Sequence, residues 1–241
     1  MKYSVKTDIG IQREKNQDSC FAGNPDASSC FAIVCDGMGG ANAGEIASAI
    51  AVKTVSERVM DGWRKNITAE SVENLLTSAI SAANICVFDE ACADSGKSGM
   101  GTTVVAAAVV GNECVIAHAG DSRAYLISDG IKRLTKDHSY VQTLVDSGII
   151  TDEQAEHHPK KNFITRALGV GEHIDIDFLT INVKQGDKLL LCSDGLTNFV
   201  SEENICVIVS ENSVDAASET LIGCANTNGG GDNITVAVIE I

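Results

Sequence analysis

The sequence predicts an α+β fold in which antiparallel sheets are covered by helices. Three apolar segments, residues 102–110, 113–119 and 122–127, follow one another with two turn residues between each pair. Strands that are joined by such short links must pair antiparallel. A long segment that begins at Thr68 carries apolar residues at helical spacing, so one of its faces is expected to be buried. Hairpins with long helices inserted between them are typical of antiparallel sheets covered by helices.

Local patterns predict the remaining elements. An alternating stretch near the N-terminus and several short apolar runs rich in branched residues indicate strands. The further predicted strands are residues 3–7, 30–35, 174–183, 188–192 and 233–240. The predicted helices are residues 43–64, a helix that begins after Thr68 as N-cap, 202–210 and 214–226. The polar segment 136–166 has weak periodicity and is expected to form a short helical insert over the sheet.

The composition is that of a globular chain with a large core. The 241 residues are 44% hydrophobic and 21% charged, which excludes an intrinsically disordered chain. We expect a single domain over residues 1–241. The chain has 18 Lys and Arg against 33 Asp and Glu, a net charge of −15. A chain this acidic repels nucleic acid and anionic lipid, so neither is expected as a partner.

The cysteines indicate a reducing compartment. There are nine of them, an odd number, no CxxC pair occurs, and most lie within apolar runs. This pattern predicts buried thiols rather than a disulfide framework or a zinc site. The N-terminal residues lack the apolar region of a signal peptide, and the longest strongly apolar stretch, residues 104–110, is too short to cross a membrane. We therefore expect a cytoplasmic protein without membrane insertion.

Five aspartates next to short apolar segments are the main chemical signal. They are Asp18, Asp36, Asp121, Asp194 and Asp232. Taken singly, each can be explained by turn chemistry, because Asp-Gly and Gly-Asp pairs are common turn formers. If the strand ends meet at one edge of the sheets, however, the carboxylates crowd together and need a cation to neutralise them. A ligand set made only of oxygen atoms selects a hard ion such as Mg²⁺ or Mn²⁺.

Six short segments, in order along nearly the whole chain, resemble the metal-dependent type 2C serine/threonine protein phosphatases in their bacterial form. They are REKNQD at 13–18, VCDGMGG at 34–40, GTT at 101–103, AGDSR at 119–123, SDGL at 193–196 and GDNIT at 231–235. The resemblance implies two antiparallel sheets packed as a β-sandwich with helices on both outer faces. It also implies Mg²⁺- or Mn²⁺-dependent hydrolysis of phosphoserine and phosphothreonine in proteins.

The resemblance further implies a core site with two metal ions. Asp36 is then expected to bridge the two ions, and Asp194 and Asp232 to complete the first. The carbonyl of Gly37 is expected to reach the second ion, with support from Asp18. Two such ions activate a bridging hydroxide for attack at phosphorus, so no protein nucleophile is required.

Three further roles follow from the same resemblance. Asp121, together with Asp194, resembles a third metal site of bacterial members. Arg13 resembles the clamp for the substrate phosphate, a role that suits the planar guanidinium. On spacing alone, Arg13 would instead be read as a solvated charge. Asn233 is expected to support the ligands or to position a water molecule. His138 matches a family segment without an assigned role, and His118 is expected to be a hydrogen-bonded core residue.

One position departs from the family pattern. Many bacterial members carry a histidine directly after the Gly-Gly of the second segment, where this chain has Ala41. The general acid that protonates the leaving alkoxide is therefore unassigned. The departure keeps open a second hypothesis, a non-catalytic, metal-stabilised module that binds phosphoproteins. A hydrolase of small phosphate esters on the same scaffold is a third.

The expected partners follow from the phosphatase hypothesis. They are proteins phosphorylated on serine or threonine, including serine/threonine kinases of the same cell, and the protein is expected to be a monomer. The insert at 136–166 resembles the flap beside the active site of bacterial members. We expect it to contact the protein part of the substrate and to be mobile, because it has few apolar anchors.

Overall fold

Eleven strands and seven helices are present in the computed structural model, which describes residues 1–39, 43–97 and 99–241. The strands are β1 (Lys2–Asp8), β2 (Asp18–Gly23), β3 (Ser29–Met38), β4 (Gly101–Thr102), β5 (Val104–Val110), β6 (Glu113–Ala119), β7 (Arg123–Ile127), β8 (Ile131–Arg133), β9 (Asp177–Asn182), β10 (Lys188–Cys192) and β11 (Ile234–Glu240). The helices are α1 (Ala43–Gly62), α2 (Ala69–Ala93), α3 (Tyr140–Asp146), α4 (Asp152–Glu156), α5 (Asp194–Thr197), α6 (Glu202–Glu211) and α7 (Val214–Thr227).

The strands form two antiparallel sheets. One sheet has five strands in the order β1-β11-β10-β7-β8, so the first and last strands of the chain pair with each other. The other has six, in the order β2-β3-β5-β6-β9 with β4 paired to β3. Helices α1 and α2 cover the six-stranded sheet, and α6 and α7 cover the five-stranded sheet. The predicted fold, a β-sandwich with helices on both outer faces, is confirmed.

The central strands are buried on both faces, which explains their continuous apolar sequences. In β3, Cys30, Ala32 and Val34 face the other sheet, where they join Leu189 and Leu191 of β10. The alternate side chains of β3 and β10 point outward to the helices: Phe31, Ile33 and Cys35 towards α1 and α2, and Leu190 and Cys192 towards α6 and α7. A strand between two apolar layers lacks the alternation that marks a strand with one solvated face.

Several boundaries differ from the sequence prediction. Strand β3 does not stop at Cys35 but continues to Met38, because Gly37 and Met38 pair with β4. The predicted strand 174–183 was too long, since only Asp177–Asn182 pairs with β6, while Ile174 and Ile176 pack against the helices instead. Strands β4 and β8 and helix α5 were missed, because elements of two to four residues carry no measurable periodicity.

Helix α2 begins as predicted, with the side chain of Thr68 accepting a hydrogen bond from the backbone of Ser71. In the described part of the chain it is the one helix long and apolar enough, by length and composition, to cross a membrane. The core helices of globular proteins also meet these criteria of length and composition. Helix α2 buries seven residues, and the apolar ones among them join the cluster between α1 and the six-stranded sheet. Its apolar face thus serves the core.

We predict that Leu76→Ala destabilises the protein by about 2–5 kcal/mol, because Leu76 is fully buried in this cluster and its truncation leaves a cavity. The matched control is Ile85→Ala on the same helix. Ile85 is 52% exposed, so its truncation is expected to change stability by no more than about 0.5 kcal/mol. Urea unfolding of both variants measures the difference. Equal losses would contradict the assignment of the buried face.

Candidate active site

Two of the five predicted aspartates are direct neighbours on adjacent strands. Asp18 on β2 lies opposite Asp36 on β3 in the antiparallel register. Side chains that are directly opposite in such a pair project from the same face. The Oδ2 atom of Asp18 also accepts a hydrogen bond of 2.7 Å from the hydroxyl of Ser193, which directly follows β10. The six-stranded sheet is therefore tied to the five-stranded sheet at this carboxylate.

The other three aspartates stand where strands begin or end. Asp121 follows β6 by two residues, Asp194 opens α5 just after β10, and Asp232 precedes β11 by two residues. Strands β10 and β11 are neighbours in the five-stranded sheet, whereas β6 belongs to the six-stranded sheet. The site is therefore assembled from both sheets of the sandwich.

Burial and mutual repulsion make four of these carboxylates, those of Asp18, Asp36, Asp121 and Asp194, costly to ionise. Burial raises the pKa of Asp36 well above its usual value, and the charges of the other four aspartates raise it further. Burial raises the pKa of Asp18 to about 7, although hydrogen bonds from Thr235 and Ser193 lower it in part. The pKa values of Asp121 and Asp194 are also raised, again chiefly by burial. All five aspartates thus share one electrostatic neighbourhood, as the sequence predicted.

Two carboxylate oxygens in this neighbourhood are left without compensation. The Oδ1 atoms of Asp18 and Asp194 are buried and have no hydrogen-bond partner among the described residues. A buried carboxylate oxygen without a partner is unfavourable, and such oxygens are the ligands that Mg²⁺ and Mn²⁺ prefer. The donor set therefore fits a hard divalent cation.

The individual metal ligands stay a prediction. Within residues 1–39, 43–97 and 99–241, no three His, Cys, Asp or Glu side chains converge closely enough to hold a metal ion as they stand. Some of the carboxylate oxygens are engaged by other side chains. Nη2 of Arg13 donates to Oδ2 of Asp232 at 2.8 Å, and Nδ2 of Asn198 donates to Oδ2 of Asp194 at 3.0 Å. These donors offset part of the negative charge.

Asn198 and Ser193 are site residues that the sequence analysis did not single out. Asn198 lies four residues after Asp194, a spacing at which side chains on a helix are neighbours, and this spacing was the available signal. Ser193 lies inside one of the matched segments but has no charge to draw attention. It donates to Asp18 and accepts the backbone N–H of Thr235, so it joins β10, β11 and β2.

Gly37 sits where no side chain fits. A Cβ atom at this position would lie 2.0 Å from the carbonyl oxygen of Gly44 and 2.6 Å from that of Gln17. The start of α1 therefore packs directly on the backbone of β3 beside Asp36. The close approach explains the glycine, while the predicted contact of its carbonyl with a metal ion stays a prediction.

Asn233 fixes the loop that carries Arg13. Its Oδ1 accepts the backbone N–H of Gln17 at 2.8 Å, and its Nδ2 donates to the carbonyls of Ile9 at 2.8 Å and Lys15 at 2.9 Å. One buried side chain thus ties both ends of the loop to the start of β11. This makes Asn233 a clamp on the Arg13 loop, a role that the sequence analysis did not foresee.

A cleft of about 800 Å³ runs between the insert and α6, next to the aspartates. Asp121 and Asp194 line it from the carboxylate side, Val141 and Lys161 from the insert, and Glu202 from α6. Among the residues of α3 and α4, Val141 is the sole buried one. The insert is helical as predicted and is held by few apolar contacts.

Two residues remain from the sequence analysis, His118 and Ala41. His118 is buried as expected, and its Nε2 has no hydrogen-bond partner in the part of the chain that is described, so the expected hydrogen bond is not made by this atom. The ring packs by stacking on His138 instead, with 4.6 Å between centroids. Ala41, the departure from the family pattern, lies outside the described residues.

Comparisons with known proteins agree with this architecture. The family model of protein phosphatase 2C matches residues 11–228. The chain is 39% identical over 245 residues to the serine/threonine phosphatase stp of Listeria monocytogenes, covering 100% of this chain and 96% of that protein. It is similar to the solved serine/threonine phosphatase of S. agalactiae, with a TM-score of 0.92, 35% identity and coverage of 100% and 99% of the two chains. It is also similar to the catalytic domain of the phosphatase PstP in complex with two manganese ions, with a TM-score of 0.87, 34% identity and coverage of 99% and 97%. The chain therefore belongs to the protein phosphatase 2C family.

Proposed function

We propose that this protein hydrolyses phosphoserine and phosphothreonine in other proteins with the help of Mg²⁺ or Mn²⁺. The observation that carries the proposal is the shared neighbourhood of the five aspartates, in which two buried carboxylate oxygens have no hydrogen-bond partner among residues 1–39, 43–97 and 99–241. Such a neighbourhood is unfavourable for the protein alone and favourable for divalent cations. The relatives named serine/threonine phosphatase, and the one solved with two manganese ions, support the same proposal.

The proposed core site holds two cations. Asp36 would help to hold both cations, Asp194 and Asp232 would complete the first, and the carbonyl of Gly37 with Asp18 would support the second. A third cation is proposed at Asp121 with Asp194. When bound, such cations activate water for attack and neutralise charge on the phosphoryl group.

Arg13 is the proposed contact for the substrate phosphate. Its side chain is 47% exposed and reaches Asp232, which places a guanidinium between solvent and the carboxylates. A guanidinium donates two parallel, charge-assisted hydrogen bonds to a phosphate. The Asn233 clamp holds the loop of Arg13 in place, so that the phosphate is bound and oriented with little reorganisation.

The cleft between the insert and α6 is the proposed place for the protein part of the substrate. About 800 Å³ next to Asp121 and Asp194 gives room for residues that flank a phosphorylated side chain. Neither the non-catalytic binding module nor the small-ester hydrolase gains an observation from the described residues. The proposed substrates include serine/threonine kinases of the same cell.

All nine cysteines are free, which supports the proposed cytoplasmic location. The protein is proposed to be a monomer.

We expect phosphate release from a phosphothreonine peptide to require Mn²⁺, to stop with EDTA, and to fall about 100-fold or more in Asp36→Asn and Asp232→Asn. The cations supply several kcal/mol of transition-state stabilisation, and each 1.4 kcal/mol is about tenfold in rate. Asp129→Asn is the matched control, because Asp129 is 98% exposed in a turn. No release from folded, Mn²⁺-loaded wild type would favour the binding module.

We predict that Arg13→Ala lowers kcat/KM for the phosphopeptide by about 10- to 100-fold, which corresponds to the loss of hydrogen bonds to a charged group. Arg13→Lys keeps the charge but loses the planar fork, so it is expected to restore only part of the loss. Arg58→Ala, an exposed arginine on α1, is the control. Wild-type kinetics in Arg13→Ala would remove this residue from the substrate site.

We predict that the stabilisation by Mg²⁺ grows as the pH rises from 5 to 8. The pKa of Asp18 is raised to about 7, so the stability gained by keeping its proton is complete near pH 4 and is lost as the pH passes through 7. Cations bind the deprotonated carboxylates and offset that loss. The measurement is the difference in Tm between Mg²⁺ and EDTA, where each kcal/mol corresponds to about 2–4 °C.

The control for this pH dependence is the same substitution at two aspartates. Asp18→Asn is expected to flatten the dependence, because the amide has no proton to release, whereas Asp129→Asn should leave it unchanged. A Tm difference that is constant from pH 5 to 8 in the wild type would show that these carboxylates do not take up the cation.

A further inference from the structure

His138 links the insert to the turn that carries Asp121. It is buried at the start of the insert, where its backbone N–H donates to the carbonyl of Gly120 at 2.7 Å. Its own carbonyl accepts the backbone N–H of Thr165 at 2.8 Å, where the insert returns to the sheet. Both stems of the insert therefore meet at this residue.

The imidazole of His138 adds two directed hydrogen bonds. Its Nδ1 accepts the backbone N–H of Gly120 at 3.1 Å, so the ring proton lies on Nε2. The Nε2–H then donates to Oδ2 of Asp177 at 3.0 Å. The other oxygen of Asp177 accepts from Arg166 on the returning stem at 2.7 Å. Gly120 is thus held through both its N–H and its carbonyl by a single residue, whose ring is oriented by Asp177.

The turn that His138 holds has little freedom. Gly120 has φ +122°, and a Cβ there would lie 2.6 Å from the side chain of Thr103. Thr103 in turn bonds both backbone groups of Asp36: its hydroxyl accepts the Asp36 N–H at 2.9 Å, and its N–H donates to the Asp36 carbonyl at 2.8 Å. Gly120, which directly precedes Asp121, therefore packs between His138 and Thr103, and Thr103 in turn fixes the backbone of Asp36.

The ring of His118 supports this arrangement from β6. It stacks on His138 with 4.6 Å between ring centroids. Burial lowers the pKa of His118 to about 4, so this ring is neutral at pH 7. A neutral ring of fixed orientation restricts the rotation of the imidazole above it.

We infer that His138 is a positioning residue that holds the Gly120–Asp121 turn for cation binding through the hydrogen bond between its Nδ1 and Gly120. The inference rests on the proposed function, because it assigns Asp121 to a cation. It also joins the insert to the carboxylate cluster, since the ring that orients the turn is itself held by Asp177 and, through Asp177, by Arg166. If His138 only filled space, the loss of Nδ1 and the loss of Nε2 would have the same effect on the Gly120–Asp121 turn.

Two variants separate the hydrogen bonds of the ring. In His138→Asn the side-chain oxygen takes the place of Nδ1, which keeps the bond to Gly120 and loses the one to Asp177. In His138→Gln the amide takes the place of Nε2, which keeps the bond to Asp177 and loses the one to Gly120. The two measurements are Mn²⁺ binding by calorimetry and hydrogen exchange of the Gly120 amide by NMR.

The class of Mn²⁺ sites to follow is the one that disappears in Asp121→Asn. We expect His138→Gln to weaken binding in this class by about tenfold or more, the usual effect of losing an outer-sphere hydrogen bond, and His138→Asn to stay close to wild type. Exchange of the Gly120 amide should be about tenfold or more faster in the Gln variant only. Leu221→Ala, a buried residue of α7 outside this network, controls for lost stability and should bind Mn²⁺ as the wild type does.

Equal Mn²⁺ binding in the Gln and Asn variants, whether both are normal or both are weak, overturns the inference. So does weakened binding in Leu221→Ala that matches the Gln variant, because the effect is then one of stability. If the wild type and Asp121→Asn show the same classes of Mn²⁺ sites, the proposed cation at Asp121 is wrong and the inference fails with it. If the wild type does have a class that Asp121→Asn loses, the cation at Asp121 stands and only the role of His138 is in question.

Discussion

Mutual repulsion among buried and half-buried aspartates is the constraint on which the rest of this structure depends. Burial raises the pKa of Asp36 and the charges of its four neighbours raise it further, so the cluster opposes its own assembly. The free energy that keeps it together comes from elsewhere, chiefly from the apolar layers between the sheets and under both pairs of helices. Under the proposed function, the loss of stability at the site accompanies affinity towards cations, a common relation between stability and function.

The sandwich resists this repulsion because its central strands cannot shift. Strands β3 and β10 are buried on both faces, and a slip by one residue would turn every side chain to the opposite layer. Asp36 and Asp194 stand at or just past the ends of these two strands, so their positions are set by the packing behind them. The contact of Gly37 with the backbone of Gly44 adds a local constraint from α1. The rigid packing of the core therefore fixes the positions of the aspartates at the edge of the sandwich.

The sequence predicted the long elements and the aspartates, and the reasons are physical. Continuous apolar runs mark strands with two buried faces, and Thr68 marks a helix start, so these features are local. Strands of two or three residues such as β4 form only because a partner is already in place, and no local pattern records this. The hydrogen bonds of Asn233 and His138 depend on how distant loops meet. Charge at a strand end was visible, whereas the hydrogen bonds of the neutral residues around it were not.

The site divides into parts with different freedom. The carboxylates stand on or next to strands of both sheets, and the Arg13 loop is clamped by Asn233, so the carboxylates and the proposed phosphate contact are fixed. The insert buries a single side chain from α3 and α4 and can therefore vary without disturbing the core. Its stems, in contrast, are bonded to Gly120 through His138 and to Thr102 through Leu168. Because Thr102 also donates to the carbonyl of Asp36, both stems are joined by hydrogen bonds to residues next to the carboxylates.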